Sequence, residues 1–116
     1  MQHNYFVYIT TNPNKTTLYI GVTNDLRKRM FEHQEDKGTL KSFAGKYYCY
    51  NLIYYEHFEQ IEHAIDREKQ LKGWIRQKKD NLINTINPTW SDLSRSFDST
   101  PPSANWRRLS SAQNDK

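Results

Sequence analysis

Glu68 stands where a helix ought to be apolar. Residues 61, 64, 65, 68, 71, 72 and 75 share one helical face, and Ile61, Ala64, Ile65, Leu71 and Ile75 make most of it apolar. A carboxylate there is costly to bury unless it meets a cation, a metal or a set of hydrogen-bond donors. It either anchors a ligand or pairs with an Arg or Lys at the core edge. An earlier helical segment carries the opposite charge. Leu26 and Met30 mark its inward side, Arg29 and His33 stand one turn apart near that side's edge, and Arg27 and Lys28 point to water. The Arg29 fork can donate two hydrogen bonds to one phosphate, and His33 can accept a proton. The alternative is a solvated basic helix. Two strand candidates add Tyr8, on a face with Phe6, and Tyr19, on a face with Thr17 and Gly21. Strand tyrosines ordinarily pack, but either phenol could position a water. Gly21, inside a strand and just before a helix N-terminus, suits close approach of an anion that would meet no side chain. Carboxylate, guanidinium and phenol or imidazole together offer a cation anchor, an anion clamp and a proton acceptor.

The elements that must position these groups can be read from local pattern. Tyr5 to Thr10 and Thr17 to Val22 read as strands joined by the turn-rich Thr11 to Lys15, an antiparallel hairpin. Thr23, Asn24 and Asp25 can each cap a helix over about Leu26 to Gln34. Glu35 to Gly45 reads as a loop and Tyr47 to Phe58 as the strongest strand. Glu59 to about Gln77 reads as one helix with a weak point at Gly73, and Asn81 to Ile86 as a short final strand or helix end. After the Asn87-Pro88 turn, Trp90 and Leu93 should pack back on the body. The expectation is an α+β fold, a small antiparallel sheet of about three strands flanked by helices. Residues 1–93 form one domain, and Ser94 to Lys116, rich in Ser, Asn, Asp and Pro, is expected to be a disordered tail. Arg95, Arg107, Arg108 and Trp106 in that tail could touch nucleic acid or stay solvated.

Composition narrows the classes. The 116 residues suit one domain, and 35% hydrophobic content with a mean hydropathy of −1.00 leaves a small core, helped by eight Tyr, five Phe and three Trp. That supply does not suit a large hydrophobic pocket. A formal charge of +4 and a pI near 9.2 favour polyanionic partners. The single cysteine, Cys49, excludes an internal disulfide and a Cys-based zinc site and points to a reducing compartment. The N-terminus lacks a secretory apolar region and no run suits a membrane span, so a cytoplasmic location is expected.

Val7-Tyr8 and Tyr19-Ile20-Gly21 resemble the two halves of the GIY-YIG nuclease motif. Arg29 falls ten residues after Tyr19, at the family's arginine, and His33 falls four later, where relatives carry His or Tyr. AIDREKQLKGW resembles the helix that carries the family's glutamate, and Glu68 takes that position. The resemblance covers about Tyr5 to Leu93 and is nearest to small stand-alone bacterial members, similar to the nuclease domain of the bacterial excision-repair endonuclease. The first half-motif reads Phe6-Val7-Tyr8, so its glycine is absent while its tyrosine is kept. The accessory asparagine has two candidates, Asn84 and Asn87, with Asn84 slightly favoured.

The resemblance implies an endonuclease acting on DNA ahead of RNA, with one divalent cation, Mg2+ or Mn2+, anchored by Glu68. Magnesium keeps several waters and often takes only one or two carboxylates, and Glu62 and Asp66 should face outward. Arg29 would hold the phosphate, and Tyr8 would act as base assisted by His33 and Tyr19, its pKa lowered by the neighbouring positive charges. Gly21, Lys69, Lys72 and Arg76, with Lys78 and Lys79, are the candidate backbone contacts, or else a solvated helix end. No recognition helix, zinc finger or specificity insert is evident, which suggests structure-selective, repair-related cutting. The alternative is a nucleic-acid-binding module with this fold and little or no catalysis. A protein-interaction domain using the tail is a third class.

Overall fold

A central antiparallel sheet buries side chains on both of its faces. The computed structural model describes residues 4–40 and 42–96. Strand β1 (Tyr5–Thr11) lies between β2 (Leu18–Thr23) and β3 (Asn51–Phe58), in the order β2-β1-β3. Both pairings are antiparallel, with a bulge between Ile9 and Thr10 on the β3 side. β-branched and aromatic residues dominate β1, and a strand paired on both sides buries them: Val7 through Thr11 are all buried. The β1–β2 turn is organised by Asn12, whose side-chain oxygen accepts from the Thr16 and Thr17 backbone N–H groups, both at 2.9 Å.

Helix α1 (Leu26–Asp36) follows β2 directly. Of its three possible caps Asp25 is the one used, accepting from Lys28 N at 3.1 Å, while Thr23 Oγ1 accepts from Asp25 N at 3.1 Å. The segment read as a loop holds a short helix, α2 (Phe43–Lys46), capped by Ser42 Oγ on Gly45 N. The strand expected from Tyr47 starts only at Asn51. Tyr48 has φ of 61° and Cys49 N donates to Ala44 O, so the β-rich composition of Tyr47–Tyr50 is overridden by the turn that closes α2.

The single long helix expected after β3 is two. Helix α3 (Ile61–Lys72) ends at Gly73, whose N–H reaches Lys69 O and Gln70 O, and α4 (Arg76–Ile86) begins after Ile75. The break turns Trp74 onto the core and leaves Ile75 73% exposed, so Ile75 is not on the buried stripe. Ile65 is exposed as well. Residues 81–86 are helical throughout.

The period of two along the strands divides the core. Val7, Ile9, Ile20 and Tyr54 cluster with Ala64 and Leu71 of α3 and Ile83 of α4, and Trp90 packs on them as expected. On the other face Tyr8 and Leu52 cluster with Leu26 and Met30 of α1, and Leu93 packs there. Leu93–Ser96 form a 3-10 turn, held by Ser94 N and Oγ on Asp92 Oδ1. Ser94 thus joins the folded body, and the rest of the expected tail, residues 97–116, lies outside the described residues. Among the described residues no helix is long and apolar enough to cross a membrane.

Candidate active site

Tyr8 sits mid-way along the central strand with no exposed surface, opposite Gly21 in the β1–β2 register. Its ring leans across β2. A Cβ at Gly21 would lie 2.6 Å from the Tyr8 hydroxyl, so only glycine leaves room for the phenol. Gly21 thus makes space for Tyr8 rather than leaving a bare cradle for an anion. Above the ring, one turn of α1 places Arg29 (8% exposed) and His33 (7% exposed). Arg29 Nη1 donates to the Tyr8 hydroxyl at 3.2 Å, and that hydroxyl lies 3.0 Å from His33 Nε2.

A guanidinium can only donate, so the phenol oxygen accepts from Arg29. A hydroxyl both donates and accepts, so its bond with His33 Nε2 takes its direction from the tautomer of the ring. Burial, reinforced by the Arg29 charge, pushes the His33 pKa down to about 4, so the ring is neutral at pH 7. Burial raises the Tyr8 phenol above its usual 10.0, outweighing the lowering pull of Arg29. The lowered phenol pKa expected from the neighbouring arginine is thus reversed in this state, because the ring has no contact with water. Arg29 also pairs through Nε with Glu32 at 3.2 Å.

Tyr19 borders the group without being buried. Its ring centroid is 6.1 Å from that of Tyr8 and 5.6 Å, edge-on, from that of His33. On its other side Phe43 stacks at 6.1 Å, and Tyr47 follows Phe43 at 4.7 Å. Sequence reading missed these last two rings, although Phe43 and Tyr47 stand at the i, i+4 spacing of a helix face.

Glu68 belongs to a different layer. Ala64 and Leu71, one turn either side of it, pack on the face of Val7, Ile9 and Ile20, whereas Tyr8 faces α1. The Glu68 side chain keeps 20% of its surface exposed and pairs with Lys72 at 3.1 Å, which is the basic partner at the core edge that its sequence setting allowed. Glu68 is therefore not part of the hydrogen-bonded Tyr8–Arg29–His33 group. The other candidates scatter. Arg76 donates to Lys15 O and Thr16 O at 2.9 and 2.8 Å and pairs with Asp80, so it braces the β1–β2 turn. Lys78 lies over Trp74, and Lys69 is exposed. Asn84 accepts from Trp90 Nε1 at 2.7 Å. Asn87 is buried, donating to Ile53 O and Ser91 O, and so pins the end of α4 to β3.

A three-stranded antiparallel sheet flanked by helices, its central tyrosine engaged by an arginine and a histidine from α1, defines a small α+β domain. The family described as the GIY-YIG catalytic domain matches residues 4–81, and the chain belongs to that family. The UPF0213 protein of Bacillus pumilus is 35% identical over 85 residues, covering 73% of this chain and 84% of that protein. A UPF0213 protein of Haloquadratum walsbyi is 32% identical over 82 residues, 71% of this chain and 89% of its own. The solution NMR structure of a UPF0213 protein from Bacillus halodurans covers 77% of this chain and 92% of its own, with 23% identity and a TM-score of 0.47.

Proposed function

We propose that this chain is an endonuclease that hydrolyses DNA phosphodiesters with the help of one divalent cation. The observation that carries the reading is the buried Tyr8–Arg29–His33 chain, formed on the strand and helix where the family motif places its reactive groups. Three ionisable groups held dry against one another are a poor choice for packing alone.

Glu68 fits one hydrated ion. Its carboxylate is half-buried and reaches the surface, its partner Lys72 is a lysine 55% exposed, and a magnesium ion keeps most of its water. Among the described residues no group of three or more His, Cys, Asp and Glu could cage a metal, and Glu68 alone would supply the protein's ligand. Lys72 would release Glu68 to such an ion and could turn to a phosphate. When bound, the ion supplies Lewis acidity to the phosphate oxygens. Arg29 neutralises and orients the scissile phosphate. Tyr8 would accept the proton of the attacking water as it passes its own to His33, and the negative charge of the bound phosphate would favour the imidazolium that results. Arg29 and Glu68 approach from opposite faces of the sheet, so the phosphate would lie at the edge strand β2, where α1 and α3 can both reach it.

The test is cleavage of a panel of single-stranded, nicked, flap and continuous duplex DNA with Mg2+ or Mn2+ and with EDTA. Metal-dependent cutting of the branched or nicked forms is expected. Tight binding without cutting under either metal would leave the nucleic-acid-binding module as the better account.

A further inference from the structure

The ring ladder that starts at the buried hydroxyl does not end at the site. From Tyr8 it runs through His33 (5.7 Å) and Tyr19 (5.6 Å) to Phe43 and Tyr47. Burial falls along it, from none of Tyr8 exposed to 51% of Phe43 and 42% of Tyr47. Leu40 and Tyr48 are exposed beside them. A four-residue helix that presents large rings to water gains little for folding, and contiguous exposed apolar surface marks a binding face. A cation stands at the outer end of this ladder: Lys46 Nζ is 5.3 Å from the Tyr47 ring. Flat faces with an adjacent ammonium group suit a partner that is itself flat and anionic.

We propose that Phe43 and Tyr47, continuing from Tyr19, form a stacking platform for an unpaired base of the nucleic-acid substrate beside the phosphate held at Arg29. The proposal rests on the nuclease reading and gives it a substrate class: strands with unpaired nucleotides next to the cut, rather than continuous duplex. A paired base has its faces covered by its neighbours and cannot use the platform, whereas every unpaired base offers a face to a ring regardless of sequence. Selection by strand structure without sequence reading follows from this one surface. A protein partner would be served by the apolar patch but has no need of rings continuous with the Tyr8 hydroxyl or of a lysine at their outer end.

The experiment uses the full chain in EDTA, so that binding is read without cutting. The probes are a single-stranded oligonucleotide carrying a fluorescent purine analogue and the same sequence as blunt duplex. The parent should quench the single-stranded analogue on binding. Phe43→Leu with Tyr47→Leu keeps apolar contact but removes the ring faces. It should abolish the quench and weaken single-strand binding about 10-fold or more, with duplex affinity changed less than about twofold and the melting temperature nearly unchanged. Phe43→Trp should keep or strengthen the quench. If the double variant does not fold, Phe43→Leu alone is read in the same way. Single-strand binding and quenching at parental strength in the leucine variants would overturn the proposal, as would equal weakening on both probes, no binding by the parent, or ring-dependent self-association in sedimentation. A parent that cuts with Mg2+ while the leucine variants bind normally removes the platform and leaves the nuclease reading standing. Ring-dependent quenching by a parent that cuts under neither metal does the opposite.

Discussion

Each face of the sheet carries a tyrosine-centred network, and the two handle charge differently. On the α3 side, Tyr54 donates to Glu56, and Arg67 holds Glu56 with two bonds at 2.9 Å while lying over Trp74. Burial alone would raise the Glu56 pKa, but the bonds from Arg67 and Tyr54 prevail and hold it below the usual carboxylate range. The bond to Glu56 in turn raises Arg67. Both members of the pair are fixed in their charged forms, and the network is closed. On the α1 side, burial acts on a tyrosine and a histidine, and both are driven to their neutral forms: Tyr8 up, His33 down. Arg29 is the charge at the centre, and it pairs with Glu32, whose side chain is about as exposed (24%) as that of Glu56 (20%). The first arrangement uses its interactions to hold the fold. The second keeps a proton between two groups and a guanidinium beside them, which is an arrangement an entering phosphate can change. Chemically similar side chains thus end charged on one face and neutral on the other, according to whether burial falls on a carboxylate held by an arginine or on a phenol and an imidazole.

The sharpest way to break that contrast is to remove the charge at each centre. Arg29→Ala should lower cleavage by at least about 10²- to 10³-fold, the usual scale for losing one electrostatic donor to the reacting group. Arg67→Ala should leave the cleavage rate of the folded fraction within about twofold of parent. Single-turnover kinetics with saturating enzyme compares the two, and equal losses would erase the distinction between the faces. Glu68→Gln comes next. Its loss should cost cleavage about 100-fold or more while the melting temperature moves little, because a partly exposed i, i+4 pair with Lys72 contributes only about 0–1 kcal/mol. A large fall in stability with cleavage intact would make Glu68 a scaffold residue.

The closed network should answer in stability instead. Glu56→Gln leaves Arg67 without its anion and should destabilise by about 2–3 kcal/mol in urea unfolding. A change below about 0.5 kcal/mol would show that the pair holds nothing together. The smallest effect concerns His33. Its folded pKa of about 4 lies below its usual 6.5, so the unfolded chain takes up the proton first as pH falls. The stability this neutral histidine contributes is complete above pH 6.5 and is lost as pH drops towards 4. Between pH 7 and pH 5 the parent should lose about 2 kcal/mol more than His33→Gln does. Superimposable pH–stability curves for the two proteins would refute a His33 held neutral by burial and the Arg29 charge.

What the amino-acid sequence determined by itself is local. The hairpin, the Asp25 cap and the one-turn spacing of Arg29 and His33 depend on neighbours within a few residues, so side-chain type and period suffice. The phenol of Tyr8 and the glycine that admits it were legible as a pair of half-motifs. Tertiary structure decided the rest. It chose which face of the sheet meets α1, and so whether Arg29 and His33 are buried or solvated, since a period of two specifies alternation and not what covers each side. It turned the chain at Gly73, the weak point visible in the sequence, into a break between α3 and α4 that sets Trp74 against the core. Phe43 and Tyr47 were drawn into a ring ladder with Tyr19, far from them in sequence. Arg76 was taken from the candidate nucleic-acid surface to brace Lys15 and Thr16, sixty residues away. Glu68 was put on a helix that packs against Val7, Ile9 and Ile20 and not against Tyr8. Each of these depends on groups distant along the chain, whose meeting is set by the packing of the whole domain, so the local pattern at Gly73 or at Phe43 and Tyr47 shows where a change can occur and not what it meets.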